Sequence, residues 1–591
     1  MGTISDKLMR IINTKEDIRQ ALILKGYDVP TSIPFKEYAK MISDLPCKVD
    51  DFPKLPGDVT RWHFGGLTNE MMAAMDDPRI EDADGKGRFL SFKNFAWGGM
   101  SGVGGYTENY NSNKWYKAES RIDATWTYKS FNARSIKDNR LAQLFYQSSL
   151  SDTGFRVLSC TIKVSGLTDG QGIEYVSNGT QQFVIMRIEN DGIYHLPSFD
   201  FGAKNAYYGF KFLKLQESCN ITIEQLPLYP GFILGDGVDD FAVTEKELNF
   251  EDTYTVYTAF IPFQNNPARN MILCGADSKK TFSMQYSSLV YVSFIAGNNY
   301  YINADFVNGL NLFACKRNGN NICIKNLLTN KVVTGTCGDW VENAGLYYLW
   351  KNATYTSFAR AGIAGQIIDN GHFTTDEEDE NILNWHKKQY PWLFPDQAWT
   401  VTGKTNEDED RATIANITGN GNDLILSNFG FIEGSGYNEE GEYAGYLVTD
   451  GVDDKAVSKQ FKFGKNFTVI LDFKFPVKKI SYCGFDLSSK VRIQNLQGSG
   501  VYVVLKGNKT LIPSNVVRAV TSEGKVYDEN WNEYNIVPGN ISSNYTMVNL
   551  GFDGSNQFAE SATKLAGIYS SILSKDECIK AYNYLQTLKS K

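Results

Sequence analysis

Leu234-Gly235-Asp236-Gly237-Val238-Asp239-Asp240-Phe241-Ala242-Val243 returns as Val448-Thr449-Asp450-Gly451-Val452-Asp453-Asp454-Lys455-Ala456-Val457, with Asp450 lying 214 residues after Asp236. Each copy runs through β-rich sequence into a Thr-Val pair, Thr255-Val256 and Thr468-Val469. A period this long marks duplicated domains rather than a short-repeat solenoid. Asp-Gly makes a tight turn, because glycine accepts positive φ and aspartate bonds its own backbone. The alternating residues that follow enter a strand.

A second repeat lies upstream. Trp62-x-x-x-Gly66-Leu67-Thr68-Asn69-Glu70 matches Trp399-x-x-x-Gly403-Lys404-Thr405-Asn406-Glu407 at a spacing of 337. Leu90-x-x-x-Asn94-Phe95 and Ser101-Gly102 match Leu424-x-x-x-Asn428-Phe429 and Ser435-Gly436 at a spacing of 334, so the copies differ by a three-residue gap. The block reads as a strand and a Gly-rich loop, with no chemical role of its own.

The repeated units also share an ending. Ala364-Gly365-Gln366-Ile367-Ile368 and Ala566-Gly567-Ile568-Tyr569 read as last strands. Thr374 and Ser574, each with a glutamate three residues on, read as capping boxes that open a final helix. An Asp-Gly-x-x-Asp opening with a strand-plus-helix ending resembles the laminin-G/concanavalin-like jelly rolls. That resemblance implies two such domains, at 231–395 and 396–591. Strand patterns over 107–225, such as Arg156–Val164, predict another β-sandwich, placed with the Trp62–Gly102 block in a domain spanning 58–230. The fold class expected is mainly β, a short helical N-terminal region followed by tandem β-sandwiches.

Residues 4–45 carry the helical periodicity. Ile4, Leu8, Ile11 and Ile12 fall on one face, Ile18, Ala21, Leu22 and Leu24 on a second helix ended by Gly26, and Phe35, Tyr38, Met41 and Ile42 on a third begun by Pro34. Some 40 residues of short helices have little core of their own. We therefore read residues 1–50 as an attachment or oligomerisation region that uses Ile11, Ile18, Leu22, Phe35, Tyr38 and Ile42, the alternative being a helical cap on the next domain. The string Asn13-Thr14-Lys15-x-x-Ile18-Arg19…Lys25-Gly26…Val29-Pro30…Pro34-Phe35-x-x-Tyr38 resembles an N-terminal segment of tailed-bacteriophage tail and fibre proteins. The Trp62 block resembles one that recurs in phage proteins of gut Bacteroidales. These resemblances imply a virion protein made in the host bacterial cytoplasm, bound to other virion proteins through its N-terminus. Fibres of such phages suggest a homo-oligomer, a trimer.

Composition narrows the partners. A net charge of −8 gives no basic footprint for nucleic acid. No apolar run reaches the ~20 residues of a membrane span, and the start lacks the pattern of a secretory leader. The nine cysteines are odd in number and form no Cys-x-x-Cys, so they are expected to be reduced thiols in apolar packing.

Catalytic patterns are sparse. Glycoside hydrolases of the concanavalin-like fold need paired carboxylates, but Glu407-Asp408-Glu409-Asp410 and Asp376-Glu377-Glu378-Asp379-Glu380 are unbroken charge runs that read as a solvated turn and a helix start. His63, His195, His372 and His386 share no metal-ligand spacing. Asp236, Asp239 and Asp240, with Asp450, Asp453 and Asp454, are candidate Ca²⁺ ligands, although an Asp-Gly turn needs no ion. No enzymatic role is expected. The function implied is a virion fibre or appendage that presents β-sandwiches to a bacterial surface glycan. The alternatives are a head-fibre or collar decoration without receptor role and, more distantly, a glycan-degrading enzyme.

Overall fold

The computed structural model describes residues 51–590, apart from short internal stretches such as 148–154, 264–270 and 352–357. The expected N-terminal helices, with Ile11, Ile18, Leu22, Phe35, Tyr38 and Ile42, lie outside the described residues. The unit Leu55–Lys591 is mainly β.

The first jelly roll packs two eight-stranded sheets face to face. One has the order Lys331–Thr336, Asn321–Asn326, Asn311–Asn318, Thr253–Pro262, Ala361–Asn370, Ile233–Leu234, Gly102–Val103, and Asp58–His63 also pairs with Ala361–Asn370. The other runs Arg79–Glu81, Phe89–Lys93, Phe241–Thr244, Tyr347–Leu349, Met271–Ala276, Phe282–Tyr286, Val290–Ala296, Asn298–Ala304. The second roll repeats this order strand for strand. Gly436–Asn438, Tyr446–Asp450, Glu560–Tyr569, Thr468–Lys474, Val516–Thr521, Lys525–Asp528 and Glu533–Asn535 form one sheet, with Gln397–Thr400 on Glu560–Tyr569. Thr413–Ile414 through Asn508–Ile512 form the other.

The expected boundary near 231 is thus corrected. The block 58–103 contributes strands to both sheets of the first roll: Asp58 pairs with Asn370, Ser91 with Val243 and Val103 with Ile233. The two repeats are one repeat, split in its first copy. The spacing between copies falls by 120, from 334 to 214, because a third sandwich is inserted between Gly102–Val103 and Ile233–Leu234. In the second roll residues 439–445 join the equivalent strands. The insert packs two five-stranded sheets around Phe131, Ile162, Tyr175, Phe210 and Ile223. Its ends enter and leave through neighbouring antiparallel strands, so insertion leaves the roll's ladder intact.

One sheet of each roll is covered by its final helix, α2 (Asp376–Gln389) or α3 (Lys575–Gln586); α1 (Asn69–Ala73) is a single turn near the start of the first roll. Covered strands are buried on both faces, as in Ala361–Asn370 and Thr468–Lys474. Thr468 and Asp472 are buried along with Val469, Ile470 and Leu471 between them. Facing strands such as Val491–Asn495 and Val501–Leu505 keep the alternation of a half-exposed sheet. Ser574 and Glu577 form the expected capping box. In the first roll the box sits one residue later, at Thr375 and Glu378, because Thr374 turns inward to bond Asp379. The rolls touch where Leu310 N–H donates to Tyr584 Oη (2.9 Å) and Tyr569 Oη–H to the Trp392 carbonyl (3.0 Å).

Candidate functional site

The duplicated acidic turns fold alike. Gly237 and Gly451 take φ of +80° and +76°. Val238 N–H donates to Asp236 Oδ1 (2.7 Å) and Val452 N–H to Asp450 Oδ1 (2.8 Å). Asp240 Oδ2 and Asp454 Oδ2 accept the N–H of Asp236 and Asp450, both at 2.9 Å. Ligand atoms of Asp236, Asp239 and Asp240 lie within 4.8 Å of one another, as do those of Asp450, Asp453 and Asp454. Burial pushes Asp240 up to about 7 and Asp454 up to about 6, while the buried hydroxyls of Ser101 and half-buried Ser435 beside them pull the other way.

The Trp/Asn/Gly block acquires a role in this geometry. Asn69 clamps Val103, its Nδ2 donating to the carbonyl (3.0 Å) and its Oδ1 accepting the N–H (2.7 Å). Asn406 clamps Tyr437 in the same way, both at 2.8 Å. Asn94 and Asn428, at φ of 67° and 70°, each donate from Nδ2 to the next turn, to the Asp239 or Asp453 carbonyl (both 3.1 Å). Gly102 and Gly436 leave no room for a Cβ beside the clamping asparagine. The repeated residues tie the opening block to the acidic turn.

Buried charge sits in different places in the two rolls. In the first, Asp379 at the fourth position of α2 takes Lys316 Nζ (2.7 Å), Lys325 Nζ (3.1 Å) and the Tyr257 hydroxyl (2.9 Å). Cys578 occupies the same position of α3, buried and uncharged. In the second roll the charge lies further along the helix. Asp472 is ion-paired with Arg518 and accepts from Tyr446 Oη (2.9 Å), Tyr582 Oη (3.2 Å) and Gln586 Nε2 (2.8 Å). Burial works against its charge, but Arg518 and Lys564 outweigh it and hold Asp472 well below the usual carboxylate range.

A half-buried group of polar side chains lies beside this cluster, where the insert meets the second roll. Glu529 centres it, near Arg518, Ser514 and Lys474. Lys474 Nζ lies over the rings of Tyr443 (4.7 Å) and Tyr446 (4.5 Å). From the insert comes Tyr194, whose ring faces Glu529 and Asp528 and whose hydroxyl donates to the Asn190 carbonyl (2.6 Å). Burial pushes the Glu529 carboxyl and the Tyr194 hydroxyl up, the latter to about 12. Tyrosine faces with polar tips, flanked by charges of both signs, are the groups that meet a saccharide's apolar face and hydroxyls.

Sequence reading placed the six turn aspartates together and left Asp472, Arg518, Lys564 and Glu529 aside. One signal was on view: Asp472 interrupts an aromatic strand, and a charge there is either a solvent face or a buried pair. The acidic run at 376–380 does start a helix, but within it Asp379 is fully buried.

No family model matches the chain, and no curated protein matches it. Solved structures that align with it include a botulinum neurotoxin DC binding domain in complex with SialylT, 10% identical, TM-score 0.24, covering 57% of this chain and 89% of that one. A second is the same kind of domain in complex with rat synaptotagmin II, 7% identical, TM-score 0.24, covering 55% and 87%. A third is a serotype D/C binding domain, 8% identical, TM-score 0.26, covering 56% and 89%. At these scores the likeness carries no functional inference.

Proposed function

We propose that the chain is a non-catalytic glycan-binding component of a tailed-phage virion. Its first 50 residues attach it to the particle or to other copies of itself, as a trimer in the fibre reading, and its sandwiches are presented outward. The virion part rests on the N-terminal sequence string. The glycan part rests on one observation: the polar group around Glu529, where Tyr194 of the insert meets Tyr443, Lys474 and Arg518 of the second roll. The acidic turns are read as self-capped, since their carboxylates serve backbone N–H groups. A glycan array probed with the full chain tests the reading. Binding to a bacterial surface polysaccharide is expected, and Tyr194→Ala with Glu529→Ala should abolish it. A blank array would favour the decoration role, and shortening of the polysaccharide would establish the enzyme.

A further inference from the structure

We propose that His195 is an acid-sensitive latch, whose protonation releases the inserted sandwich from the second jelly roll while each sandwich stays folded. His195 lies on Gly192–Leu196, the edge strand of an insert sheet. Its ring stands perpendicular to that of Tyr582 on α3, with centroids 5.8 Å apart. Nδ1 lies 3.2 Å from Thr161 Oγ1 within the insert, and Nε2 is buried with no hydrogen-bond partner.

The groups facing the ring decide what a proton does there. Asp472 comes from Thr468–Lys474, Arg518 from Val516–Thr521, Lys564 from Glu560–Tyr569, and Tyr582 from α3. Asp528, Glu529 and Asp191 face the neighbouring Tyr194. Among the described residues, the carboxylate acting on His195 is Asp472, which is already paired with Arg518. The imidazolium, with N–H on both nitrogens, therefore sets a third cation against Arg518 and Lys564, and its Nε2–H has no acceptor. Burial, then Lys564, holds the imidazole neutral down to about 3 while docked. An undocked, hydrated imidazole takes its proton near 6.5. Opening thus takes up one proton, and docking weakens about tenfold for each pH unit below that value.

The full chain can be tested by small-angle X-ray scattering from pH 7.5 to 4.5, with circular dichroism to follow folding. A lock is available: a Cβ on Gly192 would lie 3.4 Å from Asn530 Cβ, close to disulfide spacing. The wild type should expand reversibly below pH 6 with its β signal unchanged. His195→Gln and His195→Asn should stay compact, and Gly192→Cys with Asn530→Cys should stay compact until reduced. His386→Gln should open like the wild type, because that buried histidine lies in the first roll. A wild type that stays folded and compact to pH 4.5 overturns the proposal. So does a His195→Gln chain that opens at the same pH, or a cysteine pair that fails to cross-link at pH 7.5.

Discussion

The two jelly rolls share strand order, turn, clamp and capped helix, yet dock that helix by different means. α2 is pinned near its start by Asp379 between two lysines, whereas α3 packs Cys578 there and meets its buried carboxylate, Asp472, near its end. What the copies retain is what the backbone needs: positive-φ glycines, asparagine clamps and the turn aspartates. What they have exchanged is buried charge. A paired buried charge adds little net stability over apolar packing but is costly to break. Each pair is thus free to drift between copies and hard to remove once placed.

The sharpest way to break the comparison is to exchange the two helix positions. Asp379→Cys leaves Lys316 without its carboxylate and Lys325 with Asp376 alone, and should destabilise the first roll by about 3–5 kcal/mol. Cys578→Asp buries an unpaired acid and should damage the second roll by several kcal/mol. Two-transition melting would show each roll failing alone. Simultaneous loss of both would mean that they fold as one unit.

Next come the turns. A Cβ at Gly237 would lie 2.9 Å from Arg360 Cβ, and one at Gly451 would lie 2.8 Å from the Glu560 nitrogen. Valine there combines that clash with positive φ, and should cost about 2–3 kcal/mol in its own roll only. Asn69→Ala and Asn406→Ala should each cost about 1–3 kcal/mol through the unpaired backbone groups. Asn69→Ala should also loosen the insert, because Asn69 Nδ2 donates to the Tyr128 hydroxyl (3.2 Å). Faster proteolysis within 107–225 in that variant, and not in Asn406→Ala, would sharpen the contrast.

The last contrast is in pH. Folded Asp240 keeps its proton to about 7 and Asp454 to about 6, against 3.8 when unfolded. Their contribution is complete below about pH 3.8 and is lost as pH rises through the folded values. Relative to Asp240→Asn and Asp454→Asn, the first roll should go on losing stability to about pH 7 and the second only to about pH 6. Urea melts across that range would check it. Millimolar Ca²⁺ should leave both transitions in place, and a rise in melting temperature would make the turns cation sites.

The duplicated turn, the final helices and the β class could be read from the chain because each rests on local rules: a glycine at positive φ, a capping box, an alternating strand. The split of the first copy was present in the drop between the two repeat spacings, but a ladder such as Asp58 against Asn370 pairs residues far apart, which no local pattern announces. Glu529 was illegible for the same reason, and Asp472 showed only as a charge interrupting an aromatic strand. Alternation says which face a side chain takes, and not that a helix and an inserted domain will cover that face.

The antiparallel contact of Ile233 with Val103 and of Leu234 with Gly102 has one more consequence. It works as a socket: whatever is threaded between those strands leaves and re-enters the roll with its own ends already side by side. The second roll carries the matching socket, closed by residues 439–445. A chain built this way can exchange its head without recasting its body, and a foreign domain with adjacent termini spliced at 439–445 should be carried as readily as the native one.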